Sequence, residues 1–238
     1  MESRDIQQSI DDLIQEFSRL TKTAEEQALL AHAVTALDEE YSLGRKIARE
    51  PGVAEIVKQM VGRIYRAYRG FTGLSGKKIL DIACGSNTSK APPDIASTPF
   101  GRTTNPAFQE DQYTALFEPW FCRMLLEFGA DPVGIDLGSL EGETFKYFQV
   151  DLGQPGALDF LPDQSFDAVQ DSRLFGSPEF TAQYPDPADR ARAAEEIWRQ
   201  EQRVLKPDGI VIHSDAAVLL RKIEAGPRPS RRSGTAGR

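Results

Sequence analysis

Cysteine is almost missing from this chain: Cys84 and Cys122 are the only two in 238 residues. Two thiols are too few for a disulfide framework. Histidine is equally scarce, and His32 and His213 share no ligand spacing with the cysteines, so no metal site is expected. No apolar run approaches the roughly 20 residues that span a bilayer. The opening Met1-Glu2-Ser3-Arg4-Asp5 lacks the apolar core of a signal peptide. Positive charge is in deficit, with a formal net charge of −8 and a pI near 5.0. That balance disfavours broad, non-specific binding to nucleic acid and leaves recognition of a defined RNA open. Together these absences predict a soluble, cytoplasmic protein with no membrane partner. A hydrophobic content of 40% supports a real core. The length fits one large domain, or one domain with a helical appendage.

What is present begins with helices. Through residues 1–72 the apolar residues recur at helical spacing. Ile6, Ile10, Leu13, Ile14, Phe17 and Leu20 make one stripe. Thr23 and Glu26 have the spacing of a capping box that opens a second helix burying Leu29, Leu30, Val34 and Leu37. Pro51 suits a first helical turn, with Val53, Ile56, Val57, Met60, Val61, Ile64, Tyr65 and Tyr68 behind it. This region reads as a cap over a site, as a homodimer surface, or as helices covering a hydrophobic sheet.

The stretch Ile79-Leu80-Asp81-Ile82-Ala83-Cys84-Gly85-Ser86-Asn87-Thr88 then changes the pattern. A short apolar run containing one acid stops at small residues and turn formers. It reads as a buried parallel strand emptying into a tight loop, the place where open α/β sheets bind ligands. Asp81, inside the apolar run, requires a hydrogen-bonding partner. The stretch resembles the first motif of class I S-adenosylmethionine-dependent methyltransferases at Leu80, Asp81, Ile82, Cys84 and Gly85. It departs from that motif at Ala83 and Asn87, where the family carries glycine; asparagine tolerates a left-handed backbone, which would preserve the loop at Asn87.

Further pieces follow in the family's order. Pro132-Val133-Gly134-Ile135-Asp136 is similar to its second motif, and Tyr147-Phe148-Gln149-Val150-Asp151-Leu152 reads as a third strand with a closing acid. Leu161-Pro162-Asp163-Gln164-Ser165-Phe166-Asp167-Ala168-Val169 resembles the phrase leading into strand four, which should end around Gln170-Asp171-Ser172-Arg173. Asp186-Pro187-Ala188-Asp189 has the cap, proline and acid that open a helix, whose buried face is Ala194, Ile197, Trp198, Val204 and Leu205. Leu205-Lys206-Pro207-Asp208-Gly209 resembles the turn before strand five, Ile210-Val211-Ile212, which ends at His213.

Two regions depart from the family. Residues 89–115, rich in Pro, Thr and Ser, read as an insertion beside the expected pocket, either a lid or substrate loop or a tolerated surface insertion. A helix follows from Pro119, with Trp120, Phe121, Met124, Leu125 and Phe128 apolar. After a short helix at 216–223, residues 224–238 form a basic tail that reads as disordered. Strands six and seven are not visible, so strand five would be an exposed edge.

The resemblance implies an α/β, Rossmann-like, mostly parallel sheet with an N-terminal helical region (1–72), a methyltransferase-like domain (73–223) and a shortened C-terminal end. It implies S-adenosylmethionine as cofactor, with Asp81 and Gly85 at the methionine end and Ala83, Cys84 and Ser86 as further cofactor-binding residues. Asp136 would hold the ribose, Asp151 and Leu152 the adenine, and Leu137 and Asp171 stand as further contacts. For the methyl acceptor, a small molecule by expectation, the weak catalytic candidates are Asp171, Arg173 and His213. Asp171 and Arg173 read equally as a surface ion pair, and His213 as a satisfied sheet-edge histidine. The Asp/Asn-Pro-Pro-aromatic motif of amino-group methyltransferases is absent. Two alternatives stand beside this reading. A nicotinamide oxidoreductase needs Gly-x-Gly-x-x-Gly, and no glycine follows Gly85 until Gly101. A non-catalytic methyltransferase-like binding module would fit Ala83, Asn87 and the missing strands.

Overall fold

The computed structural model describes residues 3–87, 115–171 and 174–213. Four helices come first: α1 (Ser3–Ser18), α2 (Ala24–Tyr41), α3 (Leu43–Arg49) and α4 (Gly52–Tyr68). Strand β1 (Lys78–Ile82) leads through its loop toward helix α5 (Trp120–Glu127) and strand β2 (Asp131–Asp136). Strands β3 (Lys146–Gln149) and β4 (Phe166–Asp171), helices α6 (Pro178–Gln183) and α7 (Pro187–Val204), and strand β5 (Leu205–His213) complete the order.

All strand pairings are parallel, and the sheet order is β3-β2-β1-β4-β5. This is the Rossmann-like α/β order, with a switch point between β1 and β4. Central β1 is buried on both faces, as its apolar sequence requires. Side-chain alternation sorts the core into two layers. Ile79 and Ala168 face the N-terminal helices and α5, packing with Phe17, Val34, Ile64, Trp120 and Phe121. Leu80, Ile82, Val133, Ile135 and Val169 face α6, α7 and the 151–165 connection. The apolar stripes of α1–α4 thus cover one face of the sheet.

Local signals explain the ends of these elements. Thr23 accepts from the Glu26 amide at 3.1 Å; the Glu26 carboxylate accepts from Lys22 at 3.0 Å, one residue earlier than a capping box would place it. Asp186 caps α7 by accepting from the amides of Ala188 and Asp189. Asp167 joins three strands at their starts, accepting from the Lys78 amide at 2.9 Å and the Lys206 ammonium at 2.9 Å, with Lys77 at 3.5 Å.

Several expectations need correction. Leu20 lies beyond the end of α1 and is 42% exposed, so it leaves the stripe. β3 stops at Gln149, because Asp151 turns the chain by accepting from the Gly153 amide at 2.9 Å. β5 starts at Leu205 rather than Ile210: Leu205 already pairs with Phe166, and residues 206–209 bulge out before Ile210 pairs with Ala168. On α7, Gln200 and Glu201 are buried, whereas Trp198 is half-buried. Among the described residues β5 is one edge of the sheet and β3 the other. No described helix is long and apolar enough to cross a membrane. Most of the 89–115 segment, the 216–223 helix and the tail lie outside the described residues.

Candidate functional site

The loop after β1 is built from backbone hydrogen bonds. Asp81 is fully buried, on the sheet face toward α5, and the Cys122 thiol donates to its Oδ2 at 3.7 Å. The partner that Asp81 needed is therefore partly supplied by α5. At Ala83 the chain turns left-handed, with φ of +57°. This is where the family carries glycine, and the Cβ here works against the turn. Four consecutive amides then find acceptors within the protein. Cys84 donates to Ile135 O at 3.0 Å, Gly85 to Asp136 Oδ2 at 2.9 Å, Ser86 to Phe117 O at 2.9 Å and Asn87 to Ser139 O at 3.0 Å. Gly85 has φ of +95°, and a Cβ there would overlap the Phe117 carbonyl oxygen. Asn87 is not left-handed. Its side chain works instead, donating to Glu141 O at 2.9 Å and accepting from Arg123 at 2.8 Å.

The other predicted residues sit at or just beyond the carboxyl ends of neighbouring strands. Asp136 closes β2, its two oxygens accepting from Gly85 and from Gly138 at 2.8 Å. Leu137 beside it is 58% exposed, the most open large apolar side chain among the described residues. Asp151 accepts from Gln154, Gly153 and Gln183, and the Gln154 and Gly153 bonds hold its pKa below the usual value. Leu152 lines a cavity of about 370 Å³ between the 152–158 loop and α7, with Tyr184, Arg192, Ile197 and Gln200 on its wall. Asp171 ends β4, buried and paired in register with Ile82 on one side and His213 on the other. The side chain of His213, and all of Arg173, lie outside what is described.

Three features escaped the sequence reading. The first is a buried charge cluster. Arg123, 3% exposed, makes a bidentate pair with Glu143 (3.1 and 2.6 Å) and a second pair with Glu118. Lys46 of α3 meets Glu118 at 2.6 Å, and the Arg123 guanidinium lies 3.9 Å from the centre of the Tyr41 ring. Burial opposes the charge on Arg123, but Glu143 and Glu118 more than offset it and hold its pKa above the usual value. The second is the thiol pair, in which Cys84 and Cys122 bracket Gly134, where any Cβ would crowd both sulfurs. Burial pushes the Cys84 thiol up to about 11 and Cys122 well above its ordinary value. Neither is a thiolate nucleophile at neutral pH. The third is Glu201, which is 1% exposed with both carboxyl oxygens lacking a hydrogen-bond partner. Burial, then the Asp171 charge, raises its pKa well above the carboxylate range. No cluster of three or more metal-ligating side chains occurs among the described residues.

Chemically, the arrangement offers two partly exposed carboxylates (Asp136 and Asp151), two buried ones (Asp81 and Asp171) and an exposed apolar side chain, with no activated nucleophile among the described residues. No protein-family model and no curated protein matches the chain.

Proposed function

We propose that the chain is a class I S-adenosylmethionine-dependent methyltransferase acting on a small-molecule acceptor. One observation carries the reading: Asp81, Asp136, Asp151 and Asp171 stand at the carboxyl ends of four adjacent strands, beside a loop whose amides are already engaged. A dinucleotide needs backbone N–H groups for its pyrophosphate. Here Cys84, Gly85, Ser86 and Asn87 give theirs to protein acceptors. A cofactor carrying a sulfonium, an ammonium, ribose hydroxyls and an adenine amino group needs acceptors and negative charge instead. This set of acceptors therefore suits S-adenosylmethionine better than a nicotinamide dinucleotide.

When bound, this cofactor supplies an electrophilic methyl group. Asp81 and Gly85 are assigned to its methionine end, Asp136 with Leu137 to the ribose side, and Asp151 with Leu152 to the adenine. Methyl transfer is an in-line displacement, and holding two reactants in alignment supplies much of the rate. It needs no protein nucleophile, in keeping with the protonated Cys84 and Cys122. The acceptor would lie near the end of β4, where Asp171, Arg173 and His213 remain the candidates to position it.

A second reading is a non-catalytic binding module on the same fold. It is favoured by the left-handed Ala83 and by the engagement of both Asp136 oxygens with the protein's own amides. Calorimetric titration of S-adenosylmethionine and S-adenosylhomocysteine separates the two. Micromolar binding, about −8 kcal/mol, weakened about tenfold or more by Asp136→Ala, is the expected result for the enzyme. Folded wild-type protein that binds neither compound would leave the module.

A further inference from the structure

We propose that Arg123 is a positioning residue for the loop 83–87, and that through it the N-terminal helices set that loop's affinity for the cofactor; this rests on the function proposed above. Arg123 is buried with its guanidinium committed to protein partners, which lie on the loop and on two segments beside it. Its Nη2 donates to Asn87 Oδ1 at 2.8 Å, at the loop's far end. The same guanidinium holds Glu143, beyond β2, and Glu118, next to the Phe117 carbonyl that receives the Ser86 amide.

Behind it stand the N-terminal helices. The Tyr41 ring, at the end of α2, faces the guanidinium, and Lys46 of α3 shares Glu118 with it. Glu50, at the end of α3, accepts from the Ala115 amide at 3.1 Å, which fixes the start of the 115–118 turn. Two cations thus face two carboxylates, with Lys46 at the partly exposed rim and Arg123, Glu118 and Glu143 buried, where a broken pair is costly. The planar guanidinium satisfies three partners in one fixed geometry, which the point charge of a lysine cannot do. Asn87 therefore owes its place to Arg123 and the helices behind it as well as to the sheet.

The test uses the full chain carrying Arg123→Lys, which keeps the charge, and separately Asn87→Ala, which cuts only the loop side. Far-UV circular dichroism and a cooperative melt establish folding. The readouts are hydrogen exchange of the amides at 84–87 and calorimetric affinity for S-adenosylmethionine. Both variants are expected to exchange at 84–87 at least about tenfold faster and to bind the cofactor at least about tenfold more weakly. Unchanged exchange in both, or wild-type affinity in both, overturns the inference and leaves the proposed function standing. A wild type that binds no cofactor ends the proposed function, and with it the claim about affinity, while faster exchange still upholds the hold of Arg123 on the loop. Should Arg123→Lys fail to fold, Asn87→Ala decides alone.

Discussion

Ala83 holds a left-handed turn with a side chain that opposes it. That conformation costs an L-residue about 1–2 kcal/mol. Replacement by glycine removes the cost but frees the unfolded chain, returning about 0.4–1 kcal/mol. Ala83→Gly is therefore expected to raise stability by a few tenths to about 1 kcal/mol, read as a higher urea midpoint at unchanged slope; a lower midpoint would refute it. Glu201 makes a pH-dependent case. Its folded pKa is raised, so the native chain retains a proton that the unfolded chain releases near about pH 4.3. Its contribution is fully present below that pH and is lost as pH rises toward the folded value. Glu201→Gln should gain on wild type as pH increases from about 4 to about 8, read as diverging urea-stability curves. Parallel urea-stability curves for the two proteins across that range would remove the explanation.

At the scale of elements, the junctions matter most. The loop after β1 leaves no room at Gly85, where a methyl group meets the Phe117 carbonyl and the φ of +95° excludes most side chains. Gly85→Ala is expected to cost at least about 2 kcal/mol by crowding and backbone strain together, measured by chemical unfolding; a loss within about 0.5 kcal/mol would show that the 117–118 backbone yields easily. At the other end of the sheet, burial raises the pKa of Asp167, but Lys206 and the Lys78 amide outweigh it and leave the value lowered. A lowered carboxylate stabilises the fold above its unfolded pKa, and that contribution fades as pH falls through the folded value. Asp167→Asn should therefore lose its deficit against wild type as the medium becomes acidic, in paired thermal melts.

Much of this could be read from the chain because its signals are local. Apolar runs marked β1 and β2, the resemblance at 161–169 marked β4, and Thr23 and Asp186 marked helix starts. The Arg123 cluster had no such mark, since Lys46, Asn87, Glu118 and Glu143 are separated in sequence and each reads alone as a surface residue. Glu201 was hidden similarly, inside the polar run Arg199-Gln200-Glu201-Gln202-Arg203. Asn87 showed that tolerance of a left-handed backbone does not mean its use; hydrogen bonding decided its role instead.

For the whole molecule, the two faces of the sheet are covered by different parts of the chain. One face depends on α1–α4 together with α5, in a core continuous with Ile79 and Ala168. Removing residues 1–72 would uncover that face, a patch far larger than soluble monomers expose. The remaining 73–238 fragment is expected to lose cooperative unfolding and bind a hydrophobic dye strongly; a sharp melt without dye binding would show that the sheet stands alone. The sequence left a cap, a homodimer surface and a sheet cover open for these helices, because an amphipathic stripe shows that a face is buried and not what buries it.

This shared core also orders events during synthesis. The apolar faces of α1–α4 are complete by Tyr68, but their sheet partner Ala168 lies roughly 100 residues downstream. At bacterial to eukaryotic elongation rates that gap lasts about 5–20 s. For that interval α1–α4 carry apolar surfaces whose cover is incomplete, and β1 waits beside them for β4. Helices made before the sheet are thus sealed only when its fourth strand arrives.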